Sequence, residues 1–206
     1  IVGMKFNQLK RPALLSSIPG VGIYCSDLGA NLELTAEQML ALAKCSIESL
    51  DYMDAPKVAL LNIGKETGKG TSNIKQAYEL MHKDDDINFV GFIEPHDIMT
   101  SDVDLVIMDG LMGNIMLKSL EGAFEYTAKG VIGQVKKQLL GKLALWMNPF
   151  IRSYISTHAN KQSALLVGLN KKVLKVHGRS DIGAYFEGLV TARKMIEGAK
   201  ACTTVG

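Results

Sequence analysis

The chain has 206 residues, 47% hydrophobic and 21% charged, a balance that suits a soluble globular protein able to bury a real core. A net charge of +2 and a sequence pI near 8.4 are too mild for a nucleic-acid-binding surface. No apolar run approaches the ~20 residues of a spanning helix, no secretory signal opens the chain, and Cys25, Cys45 and Cys202 are too scattered for a disulfide framework, so a reducing cytoplasm is the expected compartment.

Apolar strands and helical patterns alternate along the chain. Residues 22–25 read as a short strand ending at Ser26-Asp27-Leu28-Gly29-Ala30-Asn31, and a helix follows, with Thr35 as N-cap and Gln38 completing a capping box. Residues 57–63 form a continuous apolar run between Pro56 and Gly64, the pattern of a strand buried on both faces of a parallel sheet. A helix is expected over 72–82, strands over 88–93 and 103–108, and a helix from Gly113 towards Gly130 with Ile115, Leu117, Leu120 and Phe124 turned to the core. Residues 172–176 are the last strand and 181–200 the closing helix. The pattern predicts one three-layer α/β/α domain with a mostly parallel sheet, from which residues 129–155 project as a helical arm.

Four segments share one design, an apolar strand, then a loop of Asp, Asn, Gly, Lys or Ser, then a helix. They are residues 26–31, 62–71, 109–114 and 177–181. Glycines let backbone amides approach an anion, and a helix start adds a favourable dipole. Any one of these loops is explained by turns and caps alone; four together point to a shared anionic site beyond the strand ends. The loop Gly64-Lys65-Glu66-Thr67-Gly68-Lys69-Gly70 is not a nucleotide-binding P-loop, because three residues rather than four separate its first glycines and Gly70 follows Lys69. Lys69 is either a phosphate contact or a solvated loop lysine. Asp109 and Asn114 are either helix caps or polar groups around a reacting carbonyl or phosphate, and His177 and Asp181 are equally open between turn and site.

Residues 130–151 set Lys136 and Lys137 beside Leu139, Leu140, Leu143 and Trp146. That mixture fits attachment to an anionic bilayer, packing in a core or dimer, or docking of an acidic protein. Cys25 and Cys45 lie in apolar surroundings and read as inert. His82, His96 and His158 have no partners at ligand spacing, so no metal is expected.

In order along the chain stand Arg11-Pro12-Ala13-Leu14, Asp27-Leu28-Gly29-Ala30-Asn31, Val58 through Gly64, Lys69-Gly70, Ala77-Tyr78-Glu79-Leu80, Asn88-Phe89-Val90-Gly91, Asp109-Gly110 with Gly113-Asn114, and His177-Gly178 with Ser180-Asp181. This ordered set resembles the phosphate acyltransferase family of bacterial phospholipid synthesis, over nearly the whole chain and least between 130 and 165. The resemblance implies a fold related to isopropylmalate dehydrogenase and phosphotransacetylase, usually a homodimer, and transfer of a fatty acyl group from acyl carrier protein to inorganic phosphate with no cofactor. It also implies peripheral attachment to the inner face of the cell membrane through a helical hairpin near residues 129–155. Asn114, Asp109, His177 and Asp181 are the expected catalytic residues. Asp27, Asn31, Asn62, Gly64, Lys69, Gly70, Gly113, Gly178 and Ser180 are expected to bind substrate or phosphate.

Several positions depart from the family pattern. The family's N-terminal part, including a Gly-Asn-Thr-Gly-Ala loop, has no counterpart, and the chain opens without Met. Glu94-Pro95-His96-Asp97 replaces Glu-Gly-Arg-Asp, Thr71 follows Lys69-Gly70 in place of Asn, and residues 158–163 replace a glycine-rich stretch. The competing expectations are a phosphotransacetylase using a CoA thioester, and a non-catalytic module for carrier or membrane binding.

Overall fold

A computed structural model of the chain describes residues 2–5, 8–18, 21–137 and 163–176, with 185–186, 188–190 and 193 near its end. The elements in order are β1 (Ala13–Ser17), β2 (Tyr24–Ser26), α1 (Ala36–Ser49), β3 (Val58–Leu61), α2 (Ser72–His82), β4 (Phe89–Ile93), β5 (Leu105–Ile107), α3 (Gly110–Lys137), β6 (Ser163–Val167) and β7 (Val173–Val176).

These strands form one seven-stranded sheet in the order β4-β3-β5-β2-β1-β6-β7. The pairs β4–β3, β3–β5 and β5–β2 are parallel, whereas β2–β1, β1–β6 and β6–β7 are antiparallel. Five strands therefore point the same way, with β1 and β7 reversed. The α/β class holds, and the parallel half is the part that carries the loops of interest. The reading by periodicity lacked β1 and β6. Both are five-residue runs rich in Ala, Leu and Ser, with little β-branched character to separate them from helix. Their position comes from long-range pairing, Ala13 with Val167 and Leu15 with both Leu165 and Ser26.

Both faces of the sheet are covered. Val58, Leu60, Leu105, Ile107, Ala13 and Leu15 pack against α1 and α2 on one face. Ala59, Leu61, Val106, Cys25 and Leu14 face the other way and meet Met112, Met116, Leu117 and Leu120 of α3, with Ile98 and Val103 from the connection after β4. This alternation explains why every residue of β3 is buried.

The helix starts follow local chemistry. Thr35 Oγ1 accepts the Gln38 amide at 3.3 Å while Gln38 Oε1 accepts the Thr35 amide at 2.9 Å, the expected capping box. Thr71 caps α2 in the simpler way, its hydroxyl accepting from the Ile74 amide at 3.3 Å. Helix α3 begins at Gly110, three residues before the expected start, because Asp109 Oδ1 caps it by accepting the Met112 amide at 2.8 Å. It runs through Gly130 to Lys137. Leu117 and Leu120 are half-buried as expected, whereas Ile115, expected in the core, is 58% exposed.

Candidate active site

Parallel pairing brings three of the four polar loops to one edge. Leu60 of β3 lies opposite Ile107 of β5, which lies opposite Ser26 of β2. Just beyond that line the chain leaves the sheet at Asn62, Asp109 and Asp27. Adjacent strands are about 4.8 Å apart, so the three exits fall within about 10 Å across the edge. This is the carboxyl edge, where open α/β sheets hold ligands.

The loop after β2 is tied to the start of α3. Asp27 is fully buried and its carboxylate accepts four bonds. Oδ1 takes the amides of Leu14 (2.9 Å) and Ala30 (3.1 Å), and Oδ2 takes the amide (2.7 Å) and side-chain Nδ2 (2.9 Å) of Asn31. The carbonyls of Asn31 and Leu32 then accept the amides of Gly110 (2.7 Å) and Leu111 (3.3 Å). Asp109 takes the next two amides, Met112 on its carboxylate and Gly113 on its carbonyl at 2.9 Å. Four amides at the start of α3 are thus used within the protein. The expectation that the Gly113 amide holds phosphate is corrected on that ground: this glycine provides close approach. A Cβ at Gly113 would stand 1.9 Å from the Asp27 carbonyl oxygen, and one at Gly110 would stand 2.5 Å from that of Asn31.

Above this junction Asn114 is exposed, one position beyond the tied amides. Gly29 lies beneath it at φ +119°, and a Cβ there would stand 3.3 Å from Asn114 Cβ. Of the expected catalytic residues that are described, Asn114 is the one exposed to solvent at this edge; beneath it the buried Asp27 carboxylate, with all four of its bonds inside the protein, and the Asn31 Nδ2 hold the loop.

Replacing Asp27 tests this arrangement. In Asp27→Asn one acceptor oxygen becomes an NH2 facing either the Asn31 amide and Nδ2 or the amides of Leu14 and Ala30. A donor then opposes donors in a buried site, and we expect a loss of about 3 kcal/mol in urea unfolding.

Asp109 is half-buried, and burial pushes its carboxyl above the ordinary carboxylate range; the Met112 and Leu111 amides pull it back, while the charges of Glu33 and Asp27 push it further up. The raised folded pKa means that the native state binds the proton more readily than the unfolded chain. This group therefore adds stability at acid pH that is lost as pH rises through the interval between the two pKa values. Asp109→Asn keeps an oxygen for the Met112 amide and removes the titration. Its stability relative to wild type should rise as pH increases from below the carboxylate range, then level off, in unfolding curves taken across that range. An unchanged difference at every pH would contradict this.

The loop after β3 is closed on itself. Asn62 is buried; its Nδ2 donates to the Lys69 carbonyl at 3.2 Å and its Oδ1 accepts the Ile63 amide at 2.9 Å. Gly70, at φ +92°, brings its backbone against Asn62 Oδ1, from which a Cβ would be 2.6 Å away. Asn62 is accordingly a loop clamp, and Lys69 carries the exposed cation. Its ammonium pairs with Glu66 at 2.9 Å, and the neighbouring Lys65 pairs with Asp97 beyond β4 at 2.8 Å.

Known proteins resemble this chain over most of its length. The family model for "Fatty acid synthesis protein" matches residues 2–202. A phosphate acyltransferase of Streptococcus sanguinis is 38% identical over 96% of this chain, and one of Neorickettsia sennetsu is 32% identical over 95%. The chain belongs to the phosphate acyltransferase family. It spans 62% and 60% of the length of these two relatives. A solved EutD phosphotransacetylase from Staphylococcus aureus superposes with a TM-score of 0.55 at 15% identity, covering 93% of this chain and 56% of that one, a likeness of fold.

Within this phosphate acyltransferase family member, three apolar side chains at the start of α3 and in the loop tied to it are exposed, none of them expected at the site. Leu111 and Ile115 are 49% and 58% exposed and lie one turn apart on α3, while Leu32, 67% exposed, is joined to Leu111 through its carbonyl. Their sequence signal was an apolar residue at each flank of a polar loop, which hydropathy alone assigns to the core. His177, Gly178, Ser180 and Asp181 lie outside the described residues, as do Leu139, Leu140, Leu143 and Trp146. Lys136 and Lys137 close α3. Among the described residues no helix is long and apolar enough to cross a membrane.

Proposed function

We propose that this chain carries the acyl-transfer edge of a phosphate acyltransferase, which passes a fatty acyl group from acyl carrier protein to inorganic phosphate. The observation that carries the reading is the exposed Asn114 set over Gly29, with the exposed apolar residues Leu111 and Ile115 on the same helical turn, Leu32 bonded to Leu111 through its backbone, and the Lys69 loop on the same sheet edge. A phosphate oxygen attacks the thioester carbonyl, the carbon–sulfur bond breaks as the oxyanion collapses, and the thiolate leaves to take up a proton. Phosphate is itself a competent nucleophile, so the protein supplies position and electrostatics. Lys69 holds phosphate, the Asn114 amide donates to the carbonyl oxygen as it gains charge, and the apolar group receives the start of the acyl chain. Asp109 and Asp27 keep the α3 start rigid beneath them. His177 and Asp181, with the Gly178 and Ser180 backbone, complete the site in this reading, His177 assisting the proton.

Homodimerisation and peripheral contact with the inner face of the cell membrane, through the basic apolar stretch at 129–155, belong to the same proposal, as does a cytoplasmic location. The test is donor choice. The chain, alone and extended to the length of its relatives, is supplied with phosphate and either long-chain acyl carrier protein or acetyl-CoA. Acyl phosphate from the carrier thioester supports the reading. Product from acetyl-CoA alone would move the chain to phosphotransacetylase chemistry. Product from neither form, with carrier protein still bound, would leave a binding module.

A further inference from the structure

Gly64 is buried at the end of the β3 exit, and two charged side chains fold across it. A Cβ at Gly64 would stand 2.5 Å from Lys69 Cδ, 2.9 Å from Lys69 Nζ and 2.8 Å from Glu66 Oε2. The Lys69 ammonium and Glu66 carboxylate thus lie together over bare backbone, paired at 2.9 Å. The main chain under Lys69 is held by Asn62 Nδ2, so the loop presents this pair in one place. Lys65 points elsewhere, to Asp97, and Glu66 is the carboxylate in contact with Lys69, with the charge of Glu94 acting on the same ammonium from further off.

We infer that Glu66 is a built-in competitor for the Lys69 ammonium, so that phosphate binds by displacing a carboxylate the loop already supplies. This rests on the proposed reading in which Lys69 is the phosphate cation. Both side chains are half-exposed or more, and ion pairs in such surroundings are weak. A phosphate dianion carries more charge than one carboxylate and more acceptor oxygens, and it displaces Glu66. A monoanionic carboxylate has no such advantage. Glu66 therefore lowers the affinity for phosphate from what Lys69 alone would give, and does so by the same factor for any anion that must displace it.

The experiment is calorimetric titration of the full chain with inorganic phosphate, and separately with acetate, for wild type, Glu66→Gln, Lys69→Ala and the double variant. Circular dichroism checks that each is folded. Glu66→Gln should bind phosphate about fivefold more tightly, the scale of one exposed ion pair. Any affinity for acetate should rise by the same factor. Lys69→Ala should weaken phosphate about tenfold, and the double variant should match Lys69→Ala, because the competitor acts only through the lysine. Unchanged or weaker phosphate binding in Glu66→Gln, with Lys69→Ala still impaired, would overturn the inference and leave the Lys69 assignment standing. Equal tightening by Glu66→Gln with and without Lys69 would reduce the effect to general charge and overturn it as well. Wild-type affinity in Lys69→Ala, or no phosphate binding by any form, would remove both.

Discussion

Gly113→Ala should destabilise the chain by about 3 kcal/mol, the upper end of ordinary overpacking costs. The added methyl would meet the Asp27 carbonyl oxygen at 1.9 Å, and that oxygen belongs to backbone that cannot swing aside as a flexible side chain does. Asp27 is held by its four carboxylate bonds and by its amide on the Met108 carbonyl at 2.9 Å, so the strain passes into the sheet edge rather than dissipating. Gly122→Ala is the control. It lies in the same helix with nothing within 4 Å of a built Cβ. There alanine should gain about 0.5–1 kcal/mol through helix propensity. Urea unfolding of the two variants should therefore move in opposite directions. A Gly113→Ala midpoint equal to wild type would mean that the loop and α3 are not in this contact.

Asn114→Ala should lower acyl phosphate formation by about 100-fold or more in kcat, the usual cost of losing one donor to a developing oxyanion. Folding should be unaffected, because Asn114 is exposed and the amides at the start of α3 are capped by Asn31, Leu32 and Asp109 without it. The contrast with Gly113→Ala is the useful part: neighbouring positions, one failing through stability and the other through chemistry. Equal kcat values for Asn114→Ala and wild type, with thermal unfolding unchanged, would remove Asn114 from the reaction. A loss confined to KM would make it a binding residue alone.

The sequence carried the parts of this fold that local chemistry decides. Thr35 with Gln38, the apolar run of β3 and the α2 span needed no tertiary information, since caps and two-sided burial are written in adjacent residues. β1 and β6 were not legible, because Ala13–Ser17 and Ser163–Val167 become strands by pairing with each other across some 150 residues. The site was legible as a set of loops rather than as a division of labour. Asp27 reads as a phosphate ligand until its oxygens are found on the amides of its own loop and on that of Leu14, in the antiparallel neighbour strand β1. Ile115 reads as core because helical period fixes a face without saying what covers it. Nothing in the sequence separates Glu66 from the other charges of its loop; the folding of Lys69 over Gly64 is what sets the two together.

The most direct test is the formation of acyl phosphate itself. The chain, extended to the length of its relatives, is incubated with long-chain acyl carrier protein while inorganic phosphate is varied, and acyl phosphate is trapped and quantified. Product that rises with phosphate and saturates, with one free carrier thiol released per acyl phosphate, is the predicted result. Thiol release that is independent of phosphate, with no trapped acyl phosphate, would contradict an acyl transfer to phosphate at this edge.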